Sequence, residues 1–184
     1  MKLNNQTGLT FIELIIVMVI MGIMFIFAVP NFTSTSHSKL KSAVRDVATE
    51  LQMARAKAIY RNMEYRVLLT LNAGTTTADT YIFQCKMSGG ACSSSGSWPA
   101  NTVADPERLN MAASGAVSLP LAVNVTQTNG NSGTVTVEFN PNGTSNTAGL
   151  CFINANLATD VIKLCVSSST GRVRMVTATS CGAC

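Results

Sequence analysis

The sequence predicts an α+β chain, with a long amino-terminal helix followed by a β-rich domain. Three observations carry this expectation. From Leu9 to Val29 the run LTFIELIIVMVIMGIMFIFAV holds 21 residues and one charge, Glu13. Between Lys39 and Tyr60 apolar residues return every three or four positions. Beyond Arg61 the apolar period becomes two, and turn-forming residues cut the chain into short segments.

The apolar run comes first. A helix of that length rises about 30 Å, the thickness of the hydrocarbon layer of a bilayer. Ahead of it lies a short polar stretch, Met1 to Gly8, whose one charge is Lys2. A cation on that side fits a cytoplasmic amino terminus. An ordinary secretory signal is cut after its apolar run, at small residues of the Ala-x-Ala type. No such site is obvious here, although Ala28 lies near the end of the run. Glu13 is an ionisable group one turn into an apolar helix, which is expensive in lipid without a partner. Its carboxylate could also snorkel toward the membrane face.

Pro30 follows the run. Proline removes one helical hydrogen bond and either ends or kinks the helix. Continuation is favoured by Leu40, Val44, Val47, Leu51, Ala54 and Ala58, which share one face of an amphipathic helix. Lys41, Arg45, Arg55, Lys57 and Arg61 are mostly off that face and read as solvated charges. The expected organisation is a leader at 1–8, a kinked helical stem at 9–61 with its membrane segment at 9–29, and a β domain at 62–184.

Strand candidates in that domain are Tyr65–Leu71, Thr80–Gln84, Val117–Val125, Thr134–Phe139, Gly149–Ile153, Val161–Val166 and Arg172–Thr177. Gly- and Asn-rich segments separate them, including Pro141-Asn142-Gly143, and Lys86–Asn101 reads as a loop.

All six cysteines follow the apolar run. An even set in the exported part of a single-pass chain reads as disulfides. Locality suggests Cys85–Cys92, Cys151–Cys165 across a hairpin turning near Leu157 to Asp160, and Cys181–Cys184. The tight Cys-x-x-Cys loop leaves exchange of the last pair with another open. Zinc at Cys181-Gly-Ala-Cys184 lacks a second close ligand pair, so no metal is expected.

No catalytic constellation is visible, so no enzyme and no cofactor are expected. His37 stands by itself in a Ser/Thr-rich stretch, without an orienting partner in the sequence. Phosphate-loop and dinucleotide fingerprints are missing. The formal charge of +4 permits an anionic partner without demanding one.

Gly8-Leu9-Thr10-Phe11-Ile12-Glu13 resembles the processing site of the type IV pilin family. The resemblance implies cleavage by a prepilin peptidase between Gly8 and Leu9, then methylation of the new amine on Leu9. Phe is the usual first residue of the mature chain in that family, and Leu9 stands there in this one. The retained helix would anchor the subunit in the inner membrane, with the carboxyl-terminal domain in the periplasm, and later join a surface pilus of other pilin subunits. Glu13 would meet the Leu9 amine of a neighbouring subunit. Pro30 resembles the family's bend in the stem.

At the other end, Phe139-Asn140-Pro141-Asn142-Gly143 and Gly171-Arg172-Val173-Arg174 resemble the FimT/GspH group of minor pilins and pseudopilins. This implies an antiparallel two-sheet domain packed on the stem. In FimT-like members the Gly-Arg-x-Arg element is associated with DNA capture during natural transformation. The residues suit it. Gly171 can take a positive φ, and Arg172 and Arg174 project from one strand face. Two guanidiniums can fork onto successive phosphates, and Lys163 on the neighbouring strand could join them. Two alternatives stay open: a structural minor pilin that primes or tips a filament, and a pseudopilin of a type II secretion system.

Overall fold

The computed structural model describes residues 10–28, 32–72, 77–106, 115–128 and 133–184. They fall into two compact units, Met1–Ser34 and Thr35–Cys184.

In the first unit, helix α1 spans Phe11–Ala28. It opens where the Thr10 carbonyl accepts the N–H groups of Glu13 at 3.0 Å and Leu14 at 3.3 Å. Glu13 lies in the first turn, where the helix dipole favours a negative charge. The side chains described in α1, Phe11 to Met24, are all exposed, and nearly all are apolar. A helix that is apolar all round needs lipid or protein around it. Among the described residues no helix is long and apolar enough to cross a membrane; the 21-residue apolar run extends past them at both ends.

Helix α2, Phe32–Arg61, supplies the core face of the second unit. Leu40, Ala43, Val44, Val47, Ala48, Leu51, Ala54 and Ala58 are each no more than 3% exposed. The four-and-three spacing read in the sequence is therefore the buried stripe. Asn62 ends the helix with φ 52°, and the Met63 N–H reaches back to the Ala58 carbonyl at 3.3 Å. That is the left-handed cap that closes many helices.

Among the described residues ten strands follow: β1 Tyr65–Leu71, β2 Thr80–Cys85, β3 Met87–Ser88, β4 Ala91–Cys92, β5 Val117–Ser118, β6 Val123–Gln127, β7 Gly133–Phe139, β8 Ala148–Asn154, β9 Leu157–Val166 and β10 Val173–Ala178. Two antiparallel sheets have the orders β5-β2-β1-β7 and β10-β9-β8-β6. Their inner faces and the α2 stripe form one apolar cluster.

Two strand expectations need correction. Val117–Val125 is two strands, β5 and β6, in different sheets. Pro120 separates them, its carbonyl closing a turn onto the Val123 N–H at 2.9 Å. The expected loop at Lys86–Asn101 contains the small β3–β4 hairpin. Buried Asp79 joins the two sheets. Its carboxylate accepts the N–H of Asn72, just past β1, at 2.6 Å and that of Val125 in β6 at 2.7 Å.

The disulfides also differ from the local set. Cys85 bonds Cys92, Cys151 bonds Cys181, and Cys165 bonds Cys184. The expected Cys151–Cys165 and Cys181–Cys184 pairings are replaced because the β8–β9 register is not the assumed one. Cys151 lies opposite Lys163, and Cys165 lies opposite Gly149. Cysteines offset by two places along adjacent strands are diagonal neighbours, wider apart than a disulfide accommodates readily. The register breaks between Ile153 and Asn154, whose partners on β9 are Val161 and Leu157. Asp160 in that irregular stretch is held by Asn154 at 3.1 Å and by His37 of α2 at 2.8 Å. The tail folds back over the outer face instead, and each of its cysteines takes one strand cysteine.

Candidate functional site

Arg172 and Arg174 come together at the edge of the second sheet. Arg172 immediately precedes β10, and Arg174 is its second residue, opposite Cys165. The apolar inner face of this sheet carries Leu150, Phe152, Ile162, Leu164 and Val166. Alternation along the strands therefore turns Arg174, Cys165, Lys163 and Cys151 to the outer face. Both arginines are exposed and line one open cleft of about 570 Å³. Its other walls include Ser167, Thr170 and the Cys165–Cys184 disulfide. Neither guanidinium has an ion-pair or hydrogen-bond partner among the described residues; the bonds at Arg172 are made by its backbone, including one from its N–H to Thr170 Oγ1 at 3.3 Å. Two unneutralised forks beside hydroxyl groups form a surface able to bind a polyanion.

The tail forms one side of this cleft. Gly149 lies beneath it in a crowded place, where a Cβ would lie 2.5 Å from Thr128 Oγ1 and 3.0 Å from Cys184 Sγ. Lys163 shares the outer face, but its ammonium donates to the Ala183 carbonyl at 3.3 Å. It secures the tail and does not line the cleft.

A pair of turns supports the arginines. The Ser167–Arg172 turn closes with Gly171 N–H to the Ser167 carbonyl at 2.7 Å and Ser167 N–H to the Arg172 carbonyl at 3.1 Å. The Asn140–Thr144 turn contains the Pro141-Asn142-Gly143 element and closes through Gly143 N–H to the Asn140 carbonyl at 2.9 Å. Ser145 joins the two turns, donating its N–H to the Ser168 carbonyl and its hydroxyl to the Ser167 carbonyl, both at 3.0 Å. Gly171 has φ 59°, and a Cβ there would collide with the Gly143 carbonyl oxygen. Glycine is required at this position for both backbone conformation and close approach. The two carboxyl-terminal motifs, distant in sequence, are thus one packed unit.

The other sequence candidates fall elsewhere. Gly8, Leu9 and Pro30 lie outside the described residues. His37 does have a partner, Asp160, in a pair that lies where α2 meets β9. Burial acts to raise the Asp160 pKa, yet the hydrogen bonds from His37 and Asn154 and the charge of His37 outweigh it, so the carboxyl titrates below its usual value.

Two polar clusters escaped the sequence reading. Arg66 of β1 donates to Gln84 at 2.7 Å and stacks on Trp98, 4.4 Å from the ring centroid. Burial lowers its pKa, opposed by Glu138. Lys57 bonds buried Asp105 at 2.9 Å and lies over the rings of Phe83 and Tyr65. Cys85, Cys92 and Asp105 converge closely enough to suggest a metal site. The two sulfurs form a disulfide, however, and a thiolate is the form that binds metal. The Cys181 and Cys184 sulfurs are engaged in the same way.

Residues 43–179 match the family model described as type II transport protein GspH, and residues 3–29 match the prokaryotic N-terminal methylation motif. The fold is similar to the Pseudomonas aeruginosa (strain PAO1) type IV minor pilin FimU, with a TM-score of 0.52 and 15% identity over 80% of this chain and 98% of that one. It is also similar to the solution structure of E. coli GspH, with a TM-score of 0.55 and 10% identity over 80% of this chain and 94% of that one. Identities this low speak to fold alone. No curated protein matches the sequence.

Proposed function

The chain belongs to the GspH family of minor pilins and pseudopilins, and on that premise we propose that it is a minor pilin that captures duplex DNA for uptake during natural transformation. The observation that carries this reading is the pair of exposed, unneutralised guanidiniums of Arg172 and Arg174 in one cleft. Gly171 and the turn beneath it serve to place them. Recognition is of phosphate, without sequence preference, and therefore weak per subunit and salt-sensitive. Lys163 contributes positive potential from the same face.

The amino-terminal part supports the accompanying reading of placement. A prepilin peptidase cuts between Gly8 and Leu9, the Leu9 amine is methylated, and the apolar helix holds the subunit in the inner membrane. The carboxyl-terminal domain then lies in the periplasm until the subunit joins a pilus. The exposed apolar surface of α1 is suited first to lipid and then to the packed helices of a filament.

The binding test uses the full chain in non-ionic detergent with a short DNA duplex, titrated at several salt concentrations. The native chain is expected to bind at low salt and lose affinity as salt rises. Replacing Arg172 and Arg174 together by Ala removes about two phosphate contacts, so the slope of log K against log salt should fall by about 2. Unchanged binding by that variant rejects the cleft as the site. Failure of the native chain to bind favours the second reading, a pseudopilin of a type II secretion system, which the description of the matched family itself suggests.

A further inference from the structure

Arg55 projects from α2, an element with no part in the Gly-Arg-x-Arg motif, onto the two stacked turns. Its Nε–H donates to the Gly143 carbonyl at 3.3 Å. That carbonyl oxygen is the atom against which Gly171 is packed. A Cβ on Gly171 would also lie 3.1 Å from Arg55 Nε and 3.2 Å from its Cδ. Arg55 therefore touches both turns at the point where they meet, one residue before Arg172. Ile59, one helical turn further along α2, adds an apolar contact, since a Cβ on Gly143 would lie 3.2 Å from its Cδ1. Arg55 itself is half-buried and does not line the cleft.

We propose that Arg55 is a positioning residue for the anion cleft: through its bond to the Gly143 carbonyl it locks the Gly143 and Gly171 turns together and so fixes where Arg172 stands. The inference rests on the nucleic-acid reading of the cleft. It makes the motif depend on a helix residue more than a hundred positions upstream. The physical reason is that Ser145 joins the two turns to each other, while Arg55 ties the joined pair to α2 and so fixes its orientation on the domain. A loosely oriented guanidinium loses much of the geometric advantage of a forked contact.

Two substitutions separate positioning from charge. Arg55→Gln places an amide nitrogen where Nε stands and keeps the donor while removing the charge. Arg55→Met keeps the stem and removes both. If Arg55 positions the turns, the Gln variant binds a short DNA duplex nearly as well as the native chain. The Met variant weakens by about fivefold, the size of one net hydrogen bond. Adding Arg172→Ala to Arg55→Met should then cost little beyond Arg172→Ala alone. Equal losses in the Gln and Met variants, or multiplying effects in the double variant, overturn the proposal. Amide hydrogen exchange at Gly171 and Arg172 supplies a readout independent of DNA. Faster exchange in Arg55→Met but not in Arg55→Gln upholds the clamp, and unchanged exchange in both rejects it. If the native chain binds no duplex, the nucleic-acid reading falls, and exchange alone decides the clamp.

Discussion

Asp160 lies in the irregular stretch of β9, and its carboxylate accepts from His37 and Asn154. These partners hold its pKa below the ordinary carboxylate value despite its burial. The sign follows from linkage. A carboxyl with a lowered folded-state pKa contributes stability above its unfolded value, near 4, and that contribution is lost as pH falls through the folded value. Asp160→Asn is therefore expected to lower stability at neutral pH and to flatten the loss of stability below about pH 4. Circular dichroism across an acid titration checks this, and matching acid limbs in the two proteins would contradict it. Nothing in the sequence pairs position 37 with position 160. Gly171 shows the reverse case. A glycine ahead of an arginine pair suggests a turn, and the structure adds a second reason, the Gly143 carbonyl pressed against its α-carbon.

Helix α2 was legible as an element because its apolar spacing is local information. All six residues of the expected stripe are buried. Strand β7, which alternates, and β1, a run rich in Val and Leu, were located nearly to the residue. The Val117–Val125 segment was not, because Pro120 sits inside an otherwise strand-like run and sends its two halves to different sheets. Two-residue strands such as β3 and β4 are too short to show a period. In α1, uniform apolarity with one charge in the first turn points to a helix whose partners are lipid and other helices. Glu13→Ala removes that charge without reducing apolarity. The variant is expected to fractionate with membranes as the native chain does but to be depleted from sheared filaments. Incorporation at the native level would argue against a paired role for Glu13.

At the scale of the molecule, the tail cysteines pin the carboxyl terminus across the outer face of the second sheet. The bonds Cys151–Cys181 and Cys165–Cys184 close loops of 30 and 19 residues. In the chain-entropy account, loops of this size contribute about 3–4 kcal/mol each. The pairing is open to direct test. Non-reducing trypsin digestion cuts after Lys163, Arg172 and Arg174. The peptide 175–184 is expected to remain linked to the peptides holding Cys151 and Cys165. Its release as a separate, internally bridged peptide would restore the local pairing.

The sequence by itself determined the elements: an apolar helix with a processing motif, an amphipathic helix, alternating strands, and the Gly-Arg-x-Arg segment. Each is written in neighbours a few positions apart, which is the range over which helix and strand periods are visible. Tertiary structure decided what those elements do to one another. Strand register moved Cys151 away from Cys165 and gave both to the tail. The stacking of two turns brought Gly143, Gly171 and Arg55 together. Such contacts depend on how whole elements pack, because bulges and turns shift register by amounts that no local pattern records.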